Sequence, residues 1–187
     1  VSDLIFFDTE TSGIPNWKEP SGGEGQPHIV QLAAVVVDIN SREITDSMDV
    51  IVEPKGWKID QDTIDIHGIT MDHALEVGVP EEEVLQTFLT MWRGKKRVSF
   101  NTTFDNRIIR IATKRYTEEN IIDEWKAGDY ECAMIKSRKI MGGKNPKLSA
   151  AYKHFTGKDL ENAHTAMADA LACMSIYFAI EDHNDNG

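Results

Sequence analysis

The sequence predicts one mixed α/β domain in which an antiparallel meander leads into helices that alternate with short strands. Two runs rich in β-branched residues, "IVQLAAVVVDIN" and "EITDSMDVIVEP", face each other across Asn40-Ser41 and read as neighbouring antiparallel strands. From Pro80 onward the apolar residues recur at helical spacing. No repeat, low-complexity tract or linker divides the 187 residues, so residues 1–187 are expected to form a single domain around one sizeable core.

Taken in order, Leu4-Ile5-Phe6-Phe7 is a first strand that breaks directly into Asp8, Glu10 and a Thr11-Ser12-Gly13 turn. "IPNWKEPSGGEGQPH", residues 14 to 28, holds three prolines and no periodicity, so it is a loop. The two meander strands follow. "PEEEVLQTFLTMW" has acidic residues in its first turn and Val84, Leu85, Phe88, Leu89 and Trp92 at helical spacing, the pattern of an amphipathic helix. "KRVSFN" is a short strand. "TTFDNRIIRIATKRY" opens with hydroxyl residues suited to capping and sets Phe104, Ile108, Ile111 and Ala112 on one face. Further helices are expected over Thr117–Ala127, over "KLSAAYKHF" and from Ala163 to Ile180, the last with a stripe of Ala163, Ala166, Met167, Ala170, Leu171, Met174 and Tyr177.

The composition is that of an ordinary globular protein at 41% hydrophobic residues. No stretch approaches the length of a membrane span, and the first strand begins too soon for a signal peptide, so the chain is expected to be soluble and cytoplasmic. Cys132 and Cys173 lack any metal-like spacing and are expected to be free thiols. The net charge of -11 excludes a protein that holds duplex DNA mainly by counterion release. It leaves open an enzyme that grips a chain end through metals. The basic exceptions, "RGKKR" at 93 to 97 and Lys136, Arg138, Lys139, Lys144 and Lys147, are either a phosphate track or an ordinary solvated surface.

The strand that ends in two carboxylates points to chemistry. Asp8 and Glu10 are two residues apart, so they project from the same face. Like charges there repel and lose hydration, and a divalent cation between them removes both penalties. The alternative is a solvated strand end, and further carboxylates downstream decide between the two. Asp105 follows "RVSFN" in the first turn of a helix, where the helix dipole favours its ionised form. Asp169 lies at the edge of the last apolar stripe among Ala168, Ala170 and Ala172, small neighbours that let the helix approach the sheet and bury the carboxylate. On a regular helix His164 is rotated roughly 140° from Asp169. That excludes chelation of one ion by both and suits a general base standing beyond a metal-bound water.

Read in order, "FDTETSG" at 7 to 13, "FNTTFD" at 100 to 105 and "HTAMAD" at 164 to 169 resemble the three motifs of the DnaQ-like 3′-to-5′ exonucleases. This is the DEDDh family, which includes the proofreading subunit of bacterial DNA polymerase III. "DIHGIT" at 65 to 70 is similar to that family's His-Gly-Ile loop. The resemblance implies a ribonuclease H-like fold with a central mixed five-stranded sheet flanked by helices. It implies Asp8, Glu10, Asp105 and Asp169 as ligands of two divalent cations, Mg²⁺ or Mn²⁺, and His164 as the general base. Asp8 would be shared by both ions, Glu10 and Asp169 would complete the nucleophile-side ion, and Asp105 would support the other. Thr11, the Ile66-His67-Gly68-Ile69 loop, Asn101 and Phe104 are the expected contacts to the terminal nucleotide, and Trp17 is a candidate to stack on a base.

The expected substrate is the 3′ end of single-stranded DNA, favoured over RNA, with nucleoside 5′-monophosphates as products and a polymerase or other replication or repair protein as a possible partner. The same five residues would serve an exoribonuclease. A non-catalytic nucleic-acid or polymerase-binding module on this fold is the reading of a different class, and the intact carboxylate set argues against it. A calcium-binding acidic protein would need the Dx[DN]x[DN]G spacing, which is absent. Two features depart from the family: Phe100 stands where a His often precedes Asn101, and the loop from Ile14 to His28 is long.

Overall fold

The computed structural model describes residues 3–187, and the chain start at Val1 lies outside the described residues. The sheet grows outward from β1 (Leu4–Thr11). On one side β1 pairs antiparallel with β2 (Ile29–Val37), β2 pairs antiparallel with β3 (Ile44–Glu53), and the two residues of β4 (Val79–Pro80) run parallel to the end of β3. On the other side β5 (Lys96–Ser99) runs parallel to β1, and β6 (Tyr130–Cys132) parallel to β5. The five strands in the order β3-β2-β1-β5-β6 are the expected mixed sheet, and β4 makes a sixth at one edge. Gly78 admits this last strand, since a Cβ there would meet Ala74 O at 2.3 Å and Glu53 N at 2.4 Å.

The helices are α1 (Gln61–His67), α2 (Met71–Val77), α3 (Glu81–Trp92), α4 (Thr102–Tyr116), α5 (Glu119–Ala127), α6 (Ala133–Met141), α7 (Leu148–Thr156) and α8 (Ala166–Asp185). The period-two alternation of β1 divides the core. Ile5 and Phe7 pack with residues of α3, α4 and α5, and Phe7 lies 5.1 Å from Phe88. Leu4 and Phe6 face α6, α7 and α8, and Phe6 lies 5.4 Å from Tyr177. Asp8 and Glu10 continue the Phe6 face, toward α8. Thr9 continues the Phe7 face, toward α4.

Besides the two-residue β4, four elements escaped the periodicity. α1 and α2 have seven residues each, and β6 has three, too few to show a repeat. In α6 the apolar positions are interleaved with Lys136, Arg138 and Lys139. The last helix begins at Ala166 rather than Ala163, and its buried stripe includes Cys173, Ile176 and Ile180. Asn162 and His164 take left-handed backbone conformations, φ 55° and 69°, which a right-handed helix does not contain.

Several cations of the basic segments are not free to meet a phosphate. Arg97 is buried, its guanidinium lying 3.6 Å over the Trp125 ring, and burial lowers its pKa to about 10. Arg93 is paired with Glu124, and Lys136 with Glu131 and Glu181. Both cysteines are free, and no described helix is long and apolar enough to cross a membrane.

Candidate active site

The sheet and α8 bring three of the predicted carboxylates together. One oxygen each from Asp8, Glu10 and Asp169 lies within 4.8 Å of the others. Asp105 approaches from the opposite face, in the first turn of α4, and stands outside that trio. Its Oδ1 accepts hydrogen bonds from the Thr9 backbone N–H at 3.2 Å and from Thr9 Oγ1 at 2.8 Å. Alternation along β1 therefore produces the whole arrangement: Asp8 and Glu10 meet Asp169 on one face, while Thr9 between them anchors Asp105 on the other.

These groups are short of positive charge. Burial holds the Asp8 carboxyl well above the usual carboxylate range, and Asp105, Glu10 and Asp169 push it further. Burial, then Asp169 and Asp105, raise Glu10 to about 8. Asp105 rises to about 7 because burial outweighs the Thr9 hydrogen bonds. This corrects the expectation that the helix dipole would keep it readily ionised. Burial also raises Asp169, against the stabilising backbone N–H of His164. Asp8 Oδ2 is buried with no hydrogen-bond partner. An all-oxygen donor set with an orphaned buried oxygen fits a hard divalent cation.

These shifts fix the sign of a stability change. An acid whose folded pKa lies above its unfolded value keeps its proton longer in the folded state, so stability falls as pH rises between the two values. For Glu10 the window runs from 4.5 to about 8, and for Asp105 from 3.8 to about 7. His67, lowered by burial, acts in the opposite direction and below its ordinary value of 6.5. In EDTA the melting temperature is expected to fall by several degrees between pH 6.5 and 8, since ~1 kcal/mol moves it roughly 2–4 °C for a chain of this size. Saturating Mg²⁺ or Mn²⁺ should reverse the fall. Thermal melts at both pH values check this, and a metal-free melting temperature that rises would contradict it.

His164 is placed differently from expectation. It precedes α8 in an exposed turn, so the helical rotation from Asp169 does not apply. Its left-handed φ of 69° turns its backbone N–H onto both Asp169 oxygens, each at 3.2 Å. Asp169 thus fixes the backbone of His164 through its N–H.

Gln31 was not legible as a site residue. It lies opposite Glu10 in the β1–β2 ladder, and its Oε1 accepts the backbone N–H of Ala166, the first residue of α8, at 3.2 Å. Thr165, at the N-cap, makes no cap bond of its own. The sheet thereby holds the helix start that carries His164 and Asp169. No local pattern marks a glutamine on a strand that caps a helix 135 positions later.

Beside Glu10 is a pocket of about 210 Å³ lined by Thr9, Glu10, Thr11, Gly13, Ile14, Thr63, Ile66, His67 and Phe104. Of the predicted substrate contacts, Thr11, Ile66, His67 and Phe104 line it. The Thr11 hydroxyl is already committed, donating to Gly13 O at 2.6 Å. His67 Nδ1 accepts the Ile69 N–H at 3.0 Å. The remaining proton therefore sits on Nε2, which donates to Thr11 O at 3.2 Å and pins the loop to the end of β1. Gly68 is the left-handed C-cap of α1. Ile69 is a core residue, packed with Val30, Ile59 and Ala74. Asn101 is exposed at the start of α4, outside the pocket. Ile14 and Ile66, 78% and 56% exposed, leave apolar surface at the pocket lip. Ile14 and Thr63 were missed because one sits in an aperiodic loop and the other on a short helix.

No curated protein matches the chain. Its structure is similar to that of E. coli exonuclease I. The zinc-bound complex of that enzyme with single-stranded DNA matches at a TM-score of 0.77 and 20% identity over 98% of this chain and 41% of the other. Its complexes with dT13 and dA16 oligonucleotides match at TM-scores of 0.79 and 0.80 and 18% identity, over 100% of this chain and 42% of theirs. At these identities the likeness shows the fold, the ribonuclease H-like arrangement that the motifs imply. This chain spans about two fifths of the length of those proteins. The family model described as exonuclease, RNase_T, matches residues 5–177, a span that runs from β1 through the pocket and all four carboxylates to α8, and the chain belongs to this exonuclease family, as its DnaQ-like motifs imply.

Proposed function

We propose that the chain is a metal-dependent exonuclease that removes nucleotides from the 3′ end of single-stranded DNA and releases nucleoside 5′-monophosphates. The observation that carries this reading is the convergence of Asp8, Glu10 and Asp169 directly beside the apolar-lipped pocket that Glu10 itself lines.

Asp8, Glu10 and Asp169 would hold one divalent cation, with Asp8 shared by a second that Asp105 supports. Bound Mg²⁺ or Mn²⁺ would supply Lewis-acid activation of a water and neutralise charge on the leaving oxygen. The chain's own residues do the rest. Thr9 keeps Asp105 aimed at the site through two hydrogen bonds. His164 takes the proton of the attacking water on its imidazole. Asp169 holds the His164 backbone in register. Phe104, Ile66 and Ile14 offer apolar walls to a terminal base, and stacking of this kind is tolerant of sequence. His67, neutral and internally bonded, shapes the pocket rather than reading the base. The preference for DNA is supported by the single-stranded DNA bound in the E. coli exonuclease I complexes.

The test is incubation with Mn²⁺ and 5′-labelled single-stranded DNA, matched RNA and blunt duplex. A ladder shortening from the 3′ end of the DNA, with RNA slower, is the expected result. Faster RNA cleavage would make the chain an exoribonuclease. Internal cuts would overturn the exonuclease reading, and no cleavage of any substrate would leave a binding module.

A further inference from the structure

Charge on this protein is predominantly negative, and among the cations of the basic segments Arg93, Lys96 and Lys136 are tied to carboxylates while Arg97 is buried. α4 is an exception. Arg107, Arg110 and Lys114 follow one another at spacings of three and four, which places them within about 60° of each other around the helix. Among the described residues none of the three makes an ion pair. Arg115, on the same helix, is engaged by Glu81 and by the carbonyls of Gln26 and Pro27. Arg107 and Arg110 each keep a buried Nε without a hydrogen-bond partner.

The stripe is continuous with the pocket. Phe104, in the pocket wall, lies one turn before Arg107. Alongside runs the 14–28 loop, ordered by Gln26, whose Nε2 donates to Asn16 O at 2.9 Å and Pro20 O at 3.1 Å. Arg107 Nη2 fastens this loop to α4 by donating to Glu19 O at 2.6 Å. The loop presents Trp17, 52% exposed, with the Arg107 guanidinium 5.7 Å from its ring centre. At Gly22 the loop lies against Lys114, whose Cδ is 3.7 Å from the Cβ position of that residue. The outcome is an aromatic ring and three unneutralised cations in a line about 15 Å long, starting at the pocket.

We infer that this surface binds the single strand upstream of the terminal nucleotide, with Trp17 stacking on a base and Arg107, Arg110 and Lys114 facing successive phosphates. The inference rests on the proposed exonuclease function, since it takes the pocket as the seat of the 3′ end. A rigid aromatic beside a row of cations is the general solution for holding single-stranded nucleic acid without reading its sequence. It also accounts for the length of the 14–28 loop, which supplies the aromatic half of the surface.

The test uses Arg110→Gln/Lys114→Gln, which leaves the Arg107 link to the loop in place, together with Lys114→Gln alone, and melting curves to verify folding. KM is measured on a thymidine trimer and a thymidine dodecamer. The unaltered protein should show a KM for the dodecamer at least ~10-fold lower, and the double variant should lose most of that preference. Anisotropy of a labelled dodecamer on Asp8→Asn protein then gives the salt dependence, whose slope should shrink by roughly 0.7 for each cation removed. Equal KM for both lengths in the unaltered protein, or an unchanged preference and slope in folded variants, would overturn the inference while leaving the exonuclease function standing. Failure to cleave either oligomer would instead remove the function on which it rests.

Discussion

Asp8→Asn is expected to reduce nuclease turnover in Mg²⁺ or Mn²⁺ by roughly 10³–10⁴-fold or more, because the proposed arrangement makes Asp8 the ligand shared by both cations and metal assistance supplies several kcal/mol to such a reaction. The change is nearly isosteric and lies at the end of β1, so the fold should survive it. It should also stabilise the metal-free protein. Burial and the neighbouring Asp105, Glu10 and Asp169 hold the Asp8 carboxyl well above its ordinary value, so at pH 8 the folded chain must keep a proton that the unfolded chain releases, a cost that asparagine does not carry. The combination is diagnostic: loss of activity, weaker metal binding and a higher melting temperature in EDTA at pH 8. EDTA added to the unaltered protein should abolish activity in the same way. A well-folded Asp8→Asn protein that turns over at the original rate would refute the assignment of the carboxylates.

Loss of the His164 imidazole is the second large effect, expected to lower turnover by roughly 10²–10⁴-fold with metal affinity little changed. The substitution has to respect the backbone. His164 sits at φ 69°, where alanine is strained and asparagine is tolerated. His164→Ala and His164→Asn should therefore be compared, both keeping the N–H that serves Asp169. Equal losses, with the acidic limb of the pH–rate profile gone in each, identify the imidazole as the base. Near-normal turnover in His164→Asn would assign the alanine defect to the turn instead. A collapse of metal affinity, measured by calorimetry, would make His164 a ligand.

Much of this site was legible in the chain before any coordinates. Asp8 and Glu10 are two positions apart on a strand, and strand alternation alone puts them on one face. Asp169 stands among alanines on a long helix, which is enough to bury it against a sheet. Their convergence within 4.8 Å follows from local rules plus the correct order of elements. Other features were hidden because they depend on contacts between distant segments or on backbone conformations that side-chain patterns do not report. The left-handed turn at Asn162 and His164 contains no glycine to announce it. The Nε2–H tautomer of His67 is set by Ile69 and Thr11, and Ile69 belongs to the core because Val30, Ile59 and Ala74 close around it. The basic run at 93 to 97 looked like a candidate track, yet Arg97 is covered by aromatic rings, while the free stripe on α4 was masked by its ordinary mixed composition.

The sequence by itself determined the strand, the helix and the residue types that chemistry requires, because periodicity and motif are properties of neighbours along the chain. Tertiary structure alone decided which charges are compensated. Packing set Asp105 on two Thr9 donors and left Asp8 Oδ2 without any. It turned the His164 N–H onto Asp169 and assigned the start of α8 to Gln31. Burial and pairing depend on what lies across the fold, and desolvation by those surroundings, added to the mutual repulsion of the side chains, is what leaves this carboxylate cluster short of positive charge.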